Sequence, residues 1–166
     1  VSPKAGKGES RRLLGDVVLT QTDLEAGRRF ADDVAYGGHD LDDHQPLGGS
    51  ASIFGHSIPP MYGIPFRACY SRTVPNLLLA GRLISATHLA HSSTRLMRTG
   101  GAIGQAVGIA AALCRRHGCR PRDVHDRHLE ELLETLLEED GTILARPLHA
   151  EGDLARCAAI SATSEL

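Results

Sequence analysis

Apolar and polar positions change rhythm several times along this chain of 166 residues. Arg11 to Leu19 (RRLLGDVVL) is an apolar run that reads as a strand with a bulge at Gly15. Thr20-Gln21-Thr22-Asp23 has the spacing of a capping box, in which a Thr hydroxyl takes one orphan N–H and the Asp reaches back to another. Leu24, Gly27, Phe30, Ala31 and Val34 keep helical spacing and predict a helix that ends near Tyr36-Gly37-Gly38. His39 to Pro60 follows no period and is expected to be a long irregular loop, which in a compact domain is functional or disordered. A short strand at Phe66 to Tyr70, a turn at Val74-Pro75-Asn76 and a buried strand at Leu77 to Ala80 come next. A polar loop from Arg82 to Arg98 leads into a glycine-rich apolar helix from about Gly101 to Cys114. The last helix is the clearest. Leu129, Leu132, Leu133, Leu136 and Leu137 follow i, i+3, i+4, i+7, i+8, with Asp123 or Asp126 as its cap and Gly141 as its stop. The sum is a mixed α/β pattern of short strands, three helices and one long loop.

Composition narrows the partners. The chain is 42% hydrophobic and 23% charged with a net charge of -2, a balance that gives no basis for binding nucleic acid or an anionic membrane surface. Aromatic residues are few and Trp is absent, so a base-stacking surface is not expected. Gly101 to Cys114, the longest apolar stretch, is too short to span a bilayer. The four cysteines (69, 114, 119 and 157) show no CxxC spacing, so no zinc or iron–sulfur site is expected and no metal site is assigned. Asp40, Asp42 and Asp43 with His44 match no defined metal-ligand spacing and read as a solvated acidic loop. Residues 1–9 read as a loose polar lead-in without a signal peptide, which leaves the compartment open, cytoplasmic or extracytoplasmic.

The candidate chemistry lies between Asn76 and Cys114. A strand that ends in Ala80-Gly81-Arg82 and a helix that opens at Thr99-Gly100-Gly101 can hold an anionic or dipolar ligand, because a helix N-terminus offers unpaired N–H groups and a positive dipole end. Glycines at a helix start serve plain close packing equally well. Between the two elements stand His88, His91, Ser92, Ser93, Thr94, Arg95 and Arg98, and loops placed by a rigid strand and helix are where function concentrates. Gly104 and Gly108, one turn apart with Ala106 and Ala110 to Ala112 around them, imply that another backbone lies near.

These residues carry a family resemblance. NLLLAGR, ISATH, SSTR and GQAVGIAAAL (Asn76 to Leu113), Ser10 to His44, Tyr62 to Arg82 and the downstream Leu-Glu-Glu-Asp-Gly resemble, in order over roughly residues 10–145, the C-terminal part of the bacterial FAD-dependent oxidoreductases. The resemblance implies a partial Rossmann-like FAD-binding domain over residues 10–144, completed by an N-terminal half of the same polypeptide. It implies FAD as cofactor and flavin-mediated hydride transfer on a small organic substrate. Gly81, Arg82, Ser93, Thr99, Gly100, Gly101 and Ala102 are then the cofactor-contacting positions. Thr99 to Ala102 would supply backbone N–H groups. His88, Arg95 and His39 are the catalytic candidates, the histidines as acid or base and Arg95 as an anion clamp.

One departure limits the activity of these residues by themselves. The G-x-G-x-x-G fingerprint with its acidic residue about 20 positions on is absent. Alternative readings are a non-catalytic α/β domain that has lost the cofactor, and part of a flavoprotein like the heterodisulfide reductases with clusters elsewhere. Residues 145–166 read as a linker followed by a segment that resembles the opening strand of a discoidin-like β-sandwich.

Overall fold

Thr20 and Asp23 make the capping box that their spacing predicts: the Thr20 hydroxyl accepts from the Asp23 N–H, and the Asp23 carboxylate accepts from the Thr20 N–H at 2.9 Å. The computed structural model describes residues 12–44, 52–56, 61–148, 154–159 and 161–164. The lead-in 1–9, His149 and parts of the long loop and of the linker lie outside the described residues.

The capped helix, α1, is only Gln21–Glu25. It stops because Gly27 takes a left-handed conformation (φ +58). The N–H groups of Gly27 and Arg28 then return to the carbonyls of Leu24 and Asp23, which closes the helix end. The predicted continuation through Phe30, Ala31 and Val34 is therefore incorrect; Asp33–Gly37 is a strand, β1. It is paired antiparallel with β4 (Tyr62–Pro65). The long loop contains a second antiparallel pair, β2 (Leu41–His44) and β3 (Ser52–His56), which its irregular polar pattern did not predict.

Among the described residues neither 12–19 nor Leu77–Ala80 forms a strand of its own, and Phe66–Ala68 is a 3-10 turn where a strand was expected. They are tied to their neighbours by a few backbone bonds: Val17 N–H to Arg67 O, Leu19 N–H to Ser85 O with Thr87 N–H to Leu19 O, and Leu79 N–H to Cys69 O with Ser71 N–H to Leu77 O. Isolated bridges join Leu19 to Ala86 in parallel and Tyr70 to Leu78 antiparallel. The predicted turn at Val74 closes with Leu77 N–H on Val74 O.

The polar stretch after Gly81 is not a loop. A 3-10 turn at Gly81–Leu83 leads to α2 (His88–Thr94) and then α3 (Met97–His117). α4 (Pro121–Arg127) and α5 (Leu129–Glu138) complete the helices. Asp123 caps α4 through the Arg120 N–H rather than α5. Leu132, Leu133 and Leu136 of α5 are buried against α3, which contributes Ile103, Ala106, Ala110 and Leu113 at 3–4 spacing. Tyr62, Ile64 and Phe66 extend the same core to the β1–β4 pair. Each such Leu or Phe contributes roughly 1.5–3 kcal/mol on burial. Among the described residues no helix is long and apolar enough to cross a membrane. Leu154–Cys157 forms an isolated 3-10 turn.

Candidate functional site

α3 starts at Met97, after Leu96, and no side chain caps it. Its first bond runs from the Gly100 N–H to Leu96 O at 2.8 Å. The N–H groups left outside the helix's own bonds are those of Met97, Arg98 and Thr99. This shifts the expected donor set: Thr99 keeps its place, whereas the Gly100 N–H is used within the helix. Gly101 and Ala102, fifth and sixth in the helix, are committed by the same i→i−4 geometry. The sequence offered no Ser, Thr, Asp or Asn at the N-cap, so the early start was not readable from it.

A cleft of about 420 Å³ opens at this helix end, with Tyr36 to His39 on one wall and Leu96, Arg98, Thr99 and Ala102 on the other. Gly37 is required there because a Cβ would strike the ring of Tyr62 beneath it. The His39 ring is exposed at the edge, with Nδ1 2.8 Å from Asp40 O. A carbonyl only accepts, so Nδ1 carries the proton and a neutral ring keeps Nε2 as its base. The His39 backbone is fixed: its carbonyl accepts from Ser93 Oγ at 2.6 Å.

On another side of the first α3 turn lies the Gly81–Arg82 turn. Gly81 is left-handed (φ +56), and a Cβ on Gly100 would sit 3.6 Å from its Cα. Gly101, Gly104 and Gly108 are a bare face of α3, where an added Cβ would meet nothing within 4 Å. The neighbouring backbone implied by these glycines is not among the described residues.

Of the expected site residues, the structure thus gathers His39, Thr99 and Ala102 at the cleft, and Gly81 against Gly100. The others stand apart from it. Ser93 is fully buried, its hydroxyl between His39 O and the Tyr62 hydroxyl. Arg95 is committed to Asp42 at 2.7 Å and to Ser92 O at 3.2 Å, which ties α2 to β2. His88 opens α2, half-buried, and does not line the cleft. Tyr36 and Leu96 line the cleft without having been expected there, and Arg98, noted in the polar stretch but given no contact, joins them because α3 starts earlier than expected.

Size alone does not single out this cleft. Another of about 440 Å³ lies between Phe30, Leu133 and Ile143, but its charges are already paired, Arg29 with Asp33 at 2.8 Å and Arg146 with Glu130. The cleft at α3 differs in offering backbone donors without a partner among the described residues, and the His39 imidazole.

The model of the family described as FAD dependent oxidoreductase matches residues 1–136. Neither the curated proteins nor the solved structures hold a match to the chain.

Proposed function

The chain belongs to the FAD-dependent oxidoreductase family, whose cofactor is FAD, and on that premise we propose that the N-terminal end of α3 is its flavin contact in a hydride-transfer enzyme acting on a small organic molecule. The observation that carries this reading is the set of N–H groups at Met97, Arg98 and Thr99 that have no partner among the described residues, beside bare glycine backbone. The residues fit such a group: added side chains at Gly81 and Gly101 would meet nothing within 4 Å, so both leave bare backbone beside the helix end.

Bound there, FAD supplies the hydride acceptor and donor. The chain's own groups do the rest. The positive end of α3 stabilises negative charge placed before it, and Thr99 and Arg98 orient it by hydrogen bonds. His39 Nε2 takes or returns the substrate proton, and Ser93 holds the His39 backbone for that task. The Rossmann-like half with the G-x-G-x-x-G fingerprint, absent from these residues, is supplied by another segment of the polypeptide.

The test is the visible absorption and turnover of the protein purified intact from its source. An oxidised-flavin spectrum, with His39→Asn keeping the flavin and losing about 10²–10⁴ in turnover, is expected. A colourless protein overturns the reading, and full turnover in His39→Asn removes His39 from it.

A further inference from the structure

The far end of α3 carries a second cluster that the flavin reading does not use. α3 has 21 residues, so this end is about 30 Å from the cleft. Gly118, left-handed at φ +60, turns the chain just after His117. That turn brings the His117 ring face to face with His128, at the α4–α5 junction, with centroids 4.0 Å apart and planes within 9°. His128 and Glu131 are three residues apart on one turn of helix, so both face His117. Glu131 Oε2 lies 2.8 Å from His117 Nε2 and 3.7 Å from His128 Nδ1. Arg116 occupies the other carboxylate oxygen, Oε1, at 2.8 Å.

We propose that His117, His128 and Glu131 form a binding site for one divalent transition-metal ion of the zinc type. Each residue offers one ligand atom, and all three atoms lie within 4.8 Å of one another. A tetrahedral ion with bonds near 2.1 Å sets its ligands about 3.4 Å apart. The two edges to Glu131, 2.8 and 3.7 Å, bracket that value; the rings must turn out of their stacked arrangement to aim both lone pairs at one ion. Two imidazoles and one carboxylate suit zinc, cobalt or nickel rather than calcium or magnesium. On binding, the proton that His117 Nε2 donates to Glu131 leaves to solvent, or moves to Nδ1 in a neutral ring, and water completes the fourth position. Bound, it fastens the end of α3 to the α4–α5 junction. The expectation of no metal site rested on cysteine spacing; this set is assembled from two helices and contains no cysteine.

The experiment is a calorimetric titration of the full chain, stripped with EDTA, with Zn²⁺. A parallel titration with Co²⁺ is read by visible absorption. One ion per chain is expected, bound about tenfold or more weakly in each of His117→Ala, His128→Gln and Glu131→Gln. A Cys114→Ser/Cys119→Ser variant controls for the nearby thiols and should bind as the parent does. The cobalt spectrum of the unaltered chain gives an answer that needs no variant: nitrogen and oxygen ligands give no thiolate charge-transfer band. Absence of saturable binding, binding that survives both histidine changes, or a thiolate band overturns the site.

Discussion

Ser93 Oγ lies 2.6 Å from the carbonyl oxygen of His39 and 2.6 Å from the hydroxyl of Tyr62. A serine has one hydroxyl proton. It goes to His39, because a carbonyl can only accept, so Tyr62 is the donor to Ser93. Burial pushes the Tyr62 hydroxyl up to about 12, which keeps it protonated for that role. The relay joins β4 to α2 and fixes the backbone under the one imidazole that borders the cleft.

Ser93→Ala should therefore leave a buried donor and a carbonyl without a partner, at a cost of about 1–3 kcal/mol. Tyr62→Phe removes the stranded donor, so the double variant should cost less than the sum of the two single ones. Urea unfolding of the four proteins checks this. Strict additivity would mean that the two hydroxyls are not coupled.

Asp32 and Asp33 are adjacent, both buried, and opposite in effect. Burial raises the Asp32 carboxyl, but the side-chain bonds from Arg67, then its backbone bond, outweigh that and hold it below the ordinary 3.8. For Asp33 burial wins over the Arg29 bond and the pKa is raised, and its Oδ1 has no hydrogen-bond partner among the described residues. A lowered folded pKa gives stability that is present above 3.8 and lost as pH falls through the folded value. A raised one gives stability that is complete below 3.8 and lost as pH rises through the folded value. Arg67→Met should cost about 2–4 kcal/mol at neutral pH, somewhat under a fully buried pair because Arg67 is partly exposed. It should also flatten the acid loss below 3.8. Asp33→Asn should flatten the loss above 3.8 and leave the acid side intact. Unfolding curves from about pH 3 to about pH 7 separate the two.

Legibility in the sequence followed the kind of signal each element carries. The capping box at Thr20 and the leucine stripe of α5 are side-chain patterns with a fixed spacing, and both are where the spacing puts them. α1 was overextended because Phe30 and Val34 continue a helical period by coincidence; the left-handed Gly27 ends the helix, and β1 is buried at nearly every position and so has no alternation to read. α2 was hidden for the opposite reason. His91, Ser92, Ser93 and Thr94 are all buried, so this short helix is enclosed on most sides through polar residues and its sequence mimics a loop. The donor set at α3 was displaced because nothing caps it, and Arg95 looked available because its partner Asp42 comes from a strand that the acidic pattern concealed.

Gly101 separates the flavin reading from plain packing. It is exposed on α3, with nothing within 4 Å of an added Cβ, so Gly101→Val should fold normally and cost no more than a few tenths of a kcal/mol against the gain from removing a helical Gly. In the intact enzyme the same change should reduce flavin content sharply, because the side chain occupies the bare face of α3 beside the helix end, where the proposed cofactor lies. Flavin-to-protein absorbance ratios check this, with Gly101→Ala as the mild control. Unchanged flavin content in the Gly101→Val variant would move the cofactor elsewhere.

The end of α5 gives two neighbouring changes opposite signs. Asp140, not Gly141, takes the left-handed conformation there, at φ +60. Gly141 is required for space instead: its N–H bonds Leu136 O at 2.7 Å, and a Cβ would collide with that same oxygen and with the Leu136 side chain. Asp140→Gly relieves left-handed strain and removes a negative charge from the negative end of the helix dipole, so it should stabilise by about 0.5–1 kcal/mol. Gly141→Ala should destabilise by about 1–3 kcal/mol, because the helix end must open to admit the methyl group. Thermal unfolding of the two variants decides the matter. A Gly141→Ala variant as stable as its parent would mean that the helix closes through Asp140 alone and that the bond to Leu136 contributes nothing.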